Sequence, residues 1–131
     1  MYKLFTAGAL LFSASFSALS GQVDIRPDLE GILSAERSAT GLVKRVRREP
    51  QLKTLEYLVC YRFTEDKEWY NAAKRHFENG LEYSDTDDIL ERVQRFRVFK
   101  KYAYRLRKEY NRASFFGGGL CGREKLEATK F

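Results

Sequence analysis

A chain of 131 residues has room for one domain and not for two of ordinary size. It carries 24 Lys and Arg against 18 Asp and Glu, a net charge of +6, and 15% of its residues are aromatic. One His and two Cys, the Cys 61 positions apart, make no local ligand cluster, so neither a metal nor a cofactor is expected.

The first twenty residues, MYKLFTAGALLFSASFSALS, have Lys3, an uncharged apolar stretch from Leu4 to Leu19, and small residues before Gly21. This is the layout of a secretory signal peptide over residues 1–20. As a membrane anchor it is short of the roughly 20 apolar residues of a span and is diluted by Ser, Thr and Gly. No other stretch is apolar enough to cross a bilayer, so a soluble, exported chain without stable membrane association is expected. Two thiols in an oxidising compartment make one bridge, and the only intramolecular pairing is Cys60 with Cys121. The alternative is two free or intermolecular thiols.

Residues 21–48 show scattered apolar positions and no sustained period, and read as a weakly ordered spacer. The spacer ends in Lys44-Arg45-Val46-Arg47-Arg48, a run that suits removal of a pro-segment after Arg45 or Arg48. A solvated basic patch that is never cut is the competing reading. Residues 49–131 are then the mature domain. Leu55 to Phe63, rich in aromatic and branched residues, predicts a strand. Thr64 as N-cap, Glu65 and Asp66 at the positive end and Gly80 at the far end predict a helix from Glu65 to about Asn79. Trp69, Ala72, Ala73 and His76 or Phe77 mark its apolar face, with Tyr57, Trp69 and Phe77 as core candidates.

Beyond Gly80 the pattern is ambiguous. Ile89, Val93, Phe96, Phe99 or Lys100, Ala103, Leu106 and Tyr110 recur at helical steps, yet Tyr102, Tyr104 and Leu106 also alternate as in a strand. The aromatic content and Gly117-Gly118-Gly119 favour a short helix at 86–94 followed by strands and a hairpin. The expected fold is therefore α+β, one helix packed on a small antiparallel sheet and stapled by one disulfide. An all-α bundle is the alternative.

The chain has no G-x-S-x-G, P-loop or dinucleotide fingerprint. A Cys60–His76 nucleophilic pair conflicts with the bridge, and Asp85, Asp87 and Asp88 are better explained as a helix cap than as a glycosidase pair. Charge is segregated: nine acids and three bases lie between Glu65 and Glu91, nine bases and one acid between Arg92 and Arg112. Arg95, Arg97, Lys100, Lys101, Arg105, Arg107 and Lys108, interleaved with Phe96, Phe99, Tyr102 and Tyr104, are candidates for contact with nucleic acid or another partner. The competing reading, which carries more weight, makes the rings core and the charges an outer face.

The arrangement resembles the ribonuclease-like secreted effectors of powdery-mildew fungi. Tyr57-Leu58-Val59-Cys60 stands for their Y-x-x-C motif, Thr64 to Asn79 for the helix that follows, and Leu120-Cys121-Gly122 for the closing cysteine. The cysteine spacing is short for that group, and the basic spacer is unusual in it. The related ribonucleases use a Glu base, a His acid and an Arg, whereas the one His here, His76, falls on a helix. The resemblance thus implies a non-enzymatic descendant that acts on a host protein or RNA to suppress or modulate host defence, with a secreted ribonuclease or toxin as the alternative. The chain also resembles secreted oomycete effectors with an R-x-L-R targeting motif and a helical core. Arg45-Val46-Arg47-Arg48 copies that motif poorly, while Trp69 and Tyr102 match its core Trp and Tyr.

Overall fold

In the computed structural model, which describes residues 23–114 and 119–130, the regular elements are all helical. They are α1 (Leu29–Ala35), α2 (Ala39–Arg48), α3 (Lys53–Thr64), α4 (Lys67–Glu78), α5 (Thr86–Val93), α6 (Arg97–Ser114) and α7 (Arg123–Ala128), with a 3-10 turn at Pro50–Leu52. No strand occurs among the described residues, so the α+β expectation is overturned and the all-helical alternative is what the chain adopts. Residues 1–20, expected as a leader, and most of the Gly117-Gly118-Gly119 turn lie outside the described residues.

The segment expected as spacer contributes two helices, each opened by a side-chain cap. Asp28 accepts from the Gly31 amide and Ser38 from the Gly41 amide, both at 3.0 Å. In α2 the apolar positions 42, 43 and 46 fall on one stripe and the charges on the other. Leu29, Leu33, Leu42, Val43 and Val46 are all buried in the main core. The periodicity was concealed by brevity: a helix of two or three turns offers too few repeats to stand out.

The predicted strand at Leu55–Phe63 is the body of α3. Thr54, Leu55, Leu58, Val59 and Cys60 are buried along it, and α3 packs against α2, α4 and α6. A central helix with neighbours on several sides is apolar on several sides, and over a short run that composition imitates a strand. Thr64 closes α3 and does not open the next helix. Its hydroxyl donates back to the Cys60 carbonyl, Glu65 turns left-handed at φ 59°, and Asp66 caps α4 through the Glu68 amide. At the far end Asn79 takes the left-handed position (φ 51°) and Gly80 follows at φ 89°, a region that favours glycine.

The strands expected after residue 94 are also a helix. Phe99, Tyr102, Ala103 and Leu106 are buried at steps of three, one and three, while Tyr104 stands 63% exposed. The alternation of Tyr102, Tyr104 and Leu106 was therefore coincidental, because two of the three point inward and one outward. The predicted helix at 86–94 is present as α5, separated from α6 by a turn at 94–96. α6 lies across α2 and α3, and α5 bridges α1 and α4.

A smaller cluster holds the carboxyl-terminal end. Cys60, Trp69, Ala72, Cys121 and Leu126 pack together, and a disulfide joins Cys60 to Cys121 with their Cα atoms 5.4 Å apart. Trp69 and Phe77 are each 2% exposed, and Tyr57 is half-buried between the two clusters. Among the described residues, the segment before α1 is held by Arg26, whose side chain is 5% exposed. It donates to Asp24 (2.6 Å), Asp85 (2.9 Å) and the Thr86 hydroxyl (3.3 Å), with its guanidinium 3.9 Å from the Tyr83 ring centroid and 5.1 Å from that of Phe77.

Candidate functional site

Helix α6 separates its residues by hydropathy. With Phe99, Tyr102, Ala103 and Leu106 turned into the core, the opposite face presents Arg97, Lys100, Lys101, Tyr104, Arg105, Arg107 and Lys108. Every one of those residues is exposed, and none of the six cations has a carboxylate partner among the described residues. From Arg97 to Lys108 the strip runs about 17 Å along the helix axis.

The seventh predicted contact residue is set apart. Arg95 lies in the turn before α6 and pairs with Glu91 at 3.3 Å, and Arg92 is held by Glu30 (2.8 Å) and Asp88 (3.0 Å). The basic run in the sequence is thus divided. Its first two arginines are met by acids of α1 and α5, and the unneutralised charge begins at Arg97.

The predicted stacking rings divide in the same way. Phe99 and Tyr102 are core residues, 0% and 1% exposed, and burial holds the Tyr102 phenol well above its ordinary pKa. Tyr104 remains outside, with the Lys108 ammonium 4.7 Å from its ring centroid. Beside it the carboxyl-terminal turn of α3 supplies two residues that sequence patterning had not singled out, Arg62 and Phe63. The Arg107 guanidinium lies 4.4 Å from the Phe63 centroid, joining the two helices. Between them a groove of about 320 Å³ is lined by Val59, Arg62, Phe63, Lys100, Ala103, Tyr104 and Arg107. The available signal was the basic–aromatic pair Arg62-Phe63 closely following the apolar run Leu58-Val59-Cys60.

A second groove, of about 490 Å³, lies between α2, α6 and Leu120. Its charges are largely balanced internally, Arg47 by Glu109 (2.7 Å) and Lys53 by Glu56 (3.5 Å). It therefore lacks the one-sided field of the α6 face. Of the predicted processing residues, Arg45 pairs with Glu49 at 3.1 Å and Arg48 is exposed. Both sit in α2, whose Val46 is 1% exposed, and not in an extended loop. The ring of His76 donates from Nε2 to the Pro50 carbonyl (3.1 Å) and meets Tyr57 edge-on, tying α4 to the turn before α3.

No group of three or more His, Cys, Asp or Glu is placed to hold a metal among the described residues. Nor is any helix among them long and apolar enough to cross a membrane. The fold and the site define a small, disulfide-stapled helical protein with a cationic helix on its surface. No protein-family model, curated protein or solved structure matches the chain.

Proposed function

We propose that the protein is an exported, non-catalytic binding module of a pathogen that engages host RNA through the outer face of α6. The observation that carries this reading is the row of six cations, Arg97 to Lys108, with Tyr104 among them and no carboxylate answering them among the described residues. Surface cations with intramolecular partners are electrically spent, whereas an uncompensated row attracts a polyanion and releases its counterions on binding. A membrane surface would take the same charge, but an interfacial helix also needs an apolar face directed to lipid. The apolar face of α6 is occupied by the core.

Export is supported by the leader-like first twenty residues and by the disulfide, a bridge of the kind that persists in oxidising compartments. Of the two resemblances, the helical fold favours the oomycete type. Trp69 and Tyr102 are both buried as that resemblance implies, although they sit in different clusters.

Fluorescence anisotropy with a labelled RNA 12-mer across a salt series tests the proposal. If the strip neutralises about four phosphates of a single strand, log affinity falls with log salt at a slope of about −3. A Lys101→Glu/Arg105→Glu variant, altered only at exposed positions, loses that binding while its melting temperature holds. Absence of RNA binding at low salt, equal binding by the variant, or capture by anionic vesicles in preference to RNA would each overturn the proposal. RNA cleavage that disappears in His76→Ala would overturn its non-catalytic part.

A further inference from the structure

We propose that the groove between the end of α3 and α6 is a slot for one unpaired nucleotide, so that the basic face selects single-stranded over duplex RNA. The inference rests on the RNA reading above and deepens it. Lys100, Tyr104 and Arg107 stand at i, i+4 and i+7 on α6 and form one stripe facing Arg62 and Phe63. Ala103 lies between them as the floor, small enough to leave the space open. At about 320 Å³ the groove is at the lower end of the range for small-ligand sites. That is room for a nucleotide and not for a base-paired stem.

The chemistry of the walls matches the two parts of a nucleotide. Arg62, Lys100 and Arg107 supply three cations to a phosphate, and no carboxylate is among the described lining residues. Planar surfaces for a base come from Tyr104, 63% exposed, and from Arg107. The guanidinium of Arg107 lies 4.4 Å from the Phe63 ring centroid, and a guanidinium plane is a surface on which a base can stack. Unpaired bases stack on tyrosine rings and on arginine planes, whereas a duplex keeps its bases inside and offers this surface only phosphates. The rest of the strip binds either form through charge. The groove distinguishes them.

The experiment compares single-stranded RNA, duplex RNA and inorganic polyphosphate, the last having phosphates and no bases, on the full exported chain. Tyr104→Leu removes an exposed ring without touching the core or the net charge, and Arg107→Lys keeps the charge and removes the plane. Each is expected to weaken single-strand binding about tenfold. Duplex and polyphosphate binding, the salt slope and the melting temperature stay unchanged. If both variants keep the wild-type preference, or if wild type binds single strand, duplex and polyphosphate alike, the slot is overturned while the RNA-binding reading stands. If wild type binds no RNA, both fall.

Discussion

Arg26 places a guanidinium where only 5% of its side chain meets solvent, and two carboxylates and two rings answer it. Its hydrogen bonds hold Asp24 and Asp85 below the ordinary carboxylate value of 3.8. Glu30 is depressed by Arg92, and Asp87 by the Tyr70 hydroxyl and then Lys74. A carboxylate depressed in the folded state stabilises the fold above its unfolded pKa, and that stabilisation is lost as pH falls through the folded value. Stability should therefore decline below about pH 4, where the unfolded chain takes up protons first. Arg26→Met should flatten that acid limb by releasing Asp24 and Asp85, with Glu30 and Asp87 still contributing. Urea midpoints measured between about pH 5 and pH 2 check it, and an unchanged slope in the variant would count against the clamp. Thr54 offers the reverse case. Its hydroxyl is fully buried and lacks a hydrogen-bond partner among the described residues. Thr54→Val keeps the shape and removes the desolvated group, and should stabilise by about 1 kcal/mol. That is a melting temperature raised by a few degrees, and a fall would mean the hydroxyl finds a partner.

At the scale of elements, α7 is a six-residue helix too short to persist alone. It is held by Leu126, by the disulfide, and by exposed ion pairs from Arg123 and Lys130 to α4 that contribute little. The bridge closes a loop of sequence separation 61, which in the chain-entropy account stabilises by about 4 kcal/mol. The Cys60→Ser/Cys121→Ser variant should lose about that much. Hydrogen exchange should show α7 opening first and the α2–α3–α6 core retaining protection; uniform loss would mean that the two clusters fold as one. The bridge and α4 were legible because a cysteine count of two permits one pairing, and because a capped amphipathic helix combines several independent signals. α3 and α6 were misread because aromatic and branched residues suit any buried surface, and burial around α3 has no single face to give it a period. The six cations were legible as a group, but Arg95 was not separable from them. Its neutralisation depends on Glu91 one turn away, and that of Arg92 on Glu30, 62 positions distant.

For the molecule as a whole, the boundary of the folded unit decides how it should be handled and where it can be cut. Residues 49–131, the mature domain expected from the basic processing motif, omit Leu29, Leu33, Leu42, Val43 and Val46, all buried in the main core. At about 1.5–3 kcal/mol for each buried side chain, their removal forfeits roughly 10 kcal/mol. That is comparable to the whole stability of a domain of this size, about 5–15 kcal/mol. It would also expose the inner faces of α5 and α6 that α1 and α2 cover. A chain of residues 49–131 should therefore give no cooperative thermal transition, whereas residues 21–131 should melt in a single step. The same packing bears on proteolysis. Because Arg45 and Arg48 belong to a helix docked through Val43 and Val46, cleavage there requires α2 to unwind first. Trypsin at limiting dose should spare both bonds in the native protein and cut them once urea passes the unfolding midpoint. If a processed form instead remains folded after cleavage at Arg48, with α1 and α2 dissociated, then the core built by α3 to α7 is sufficient and the amino-terminal helices are a removable cover.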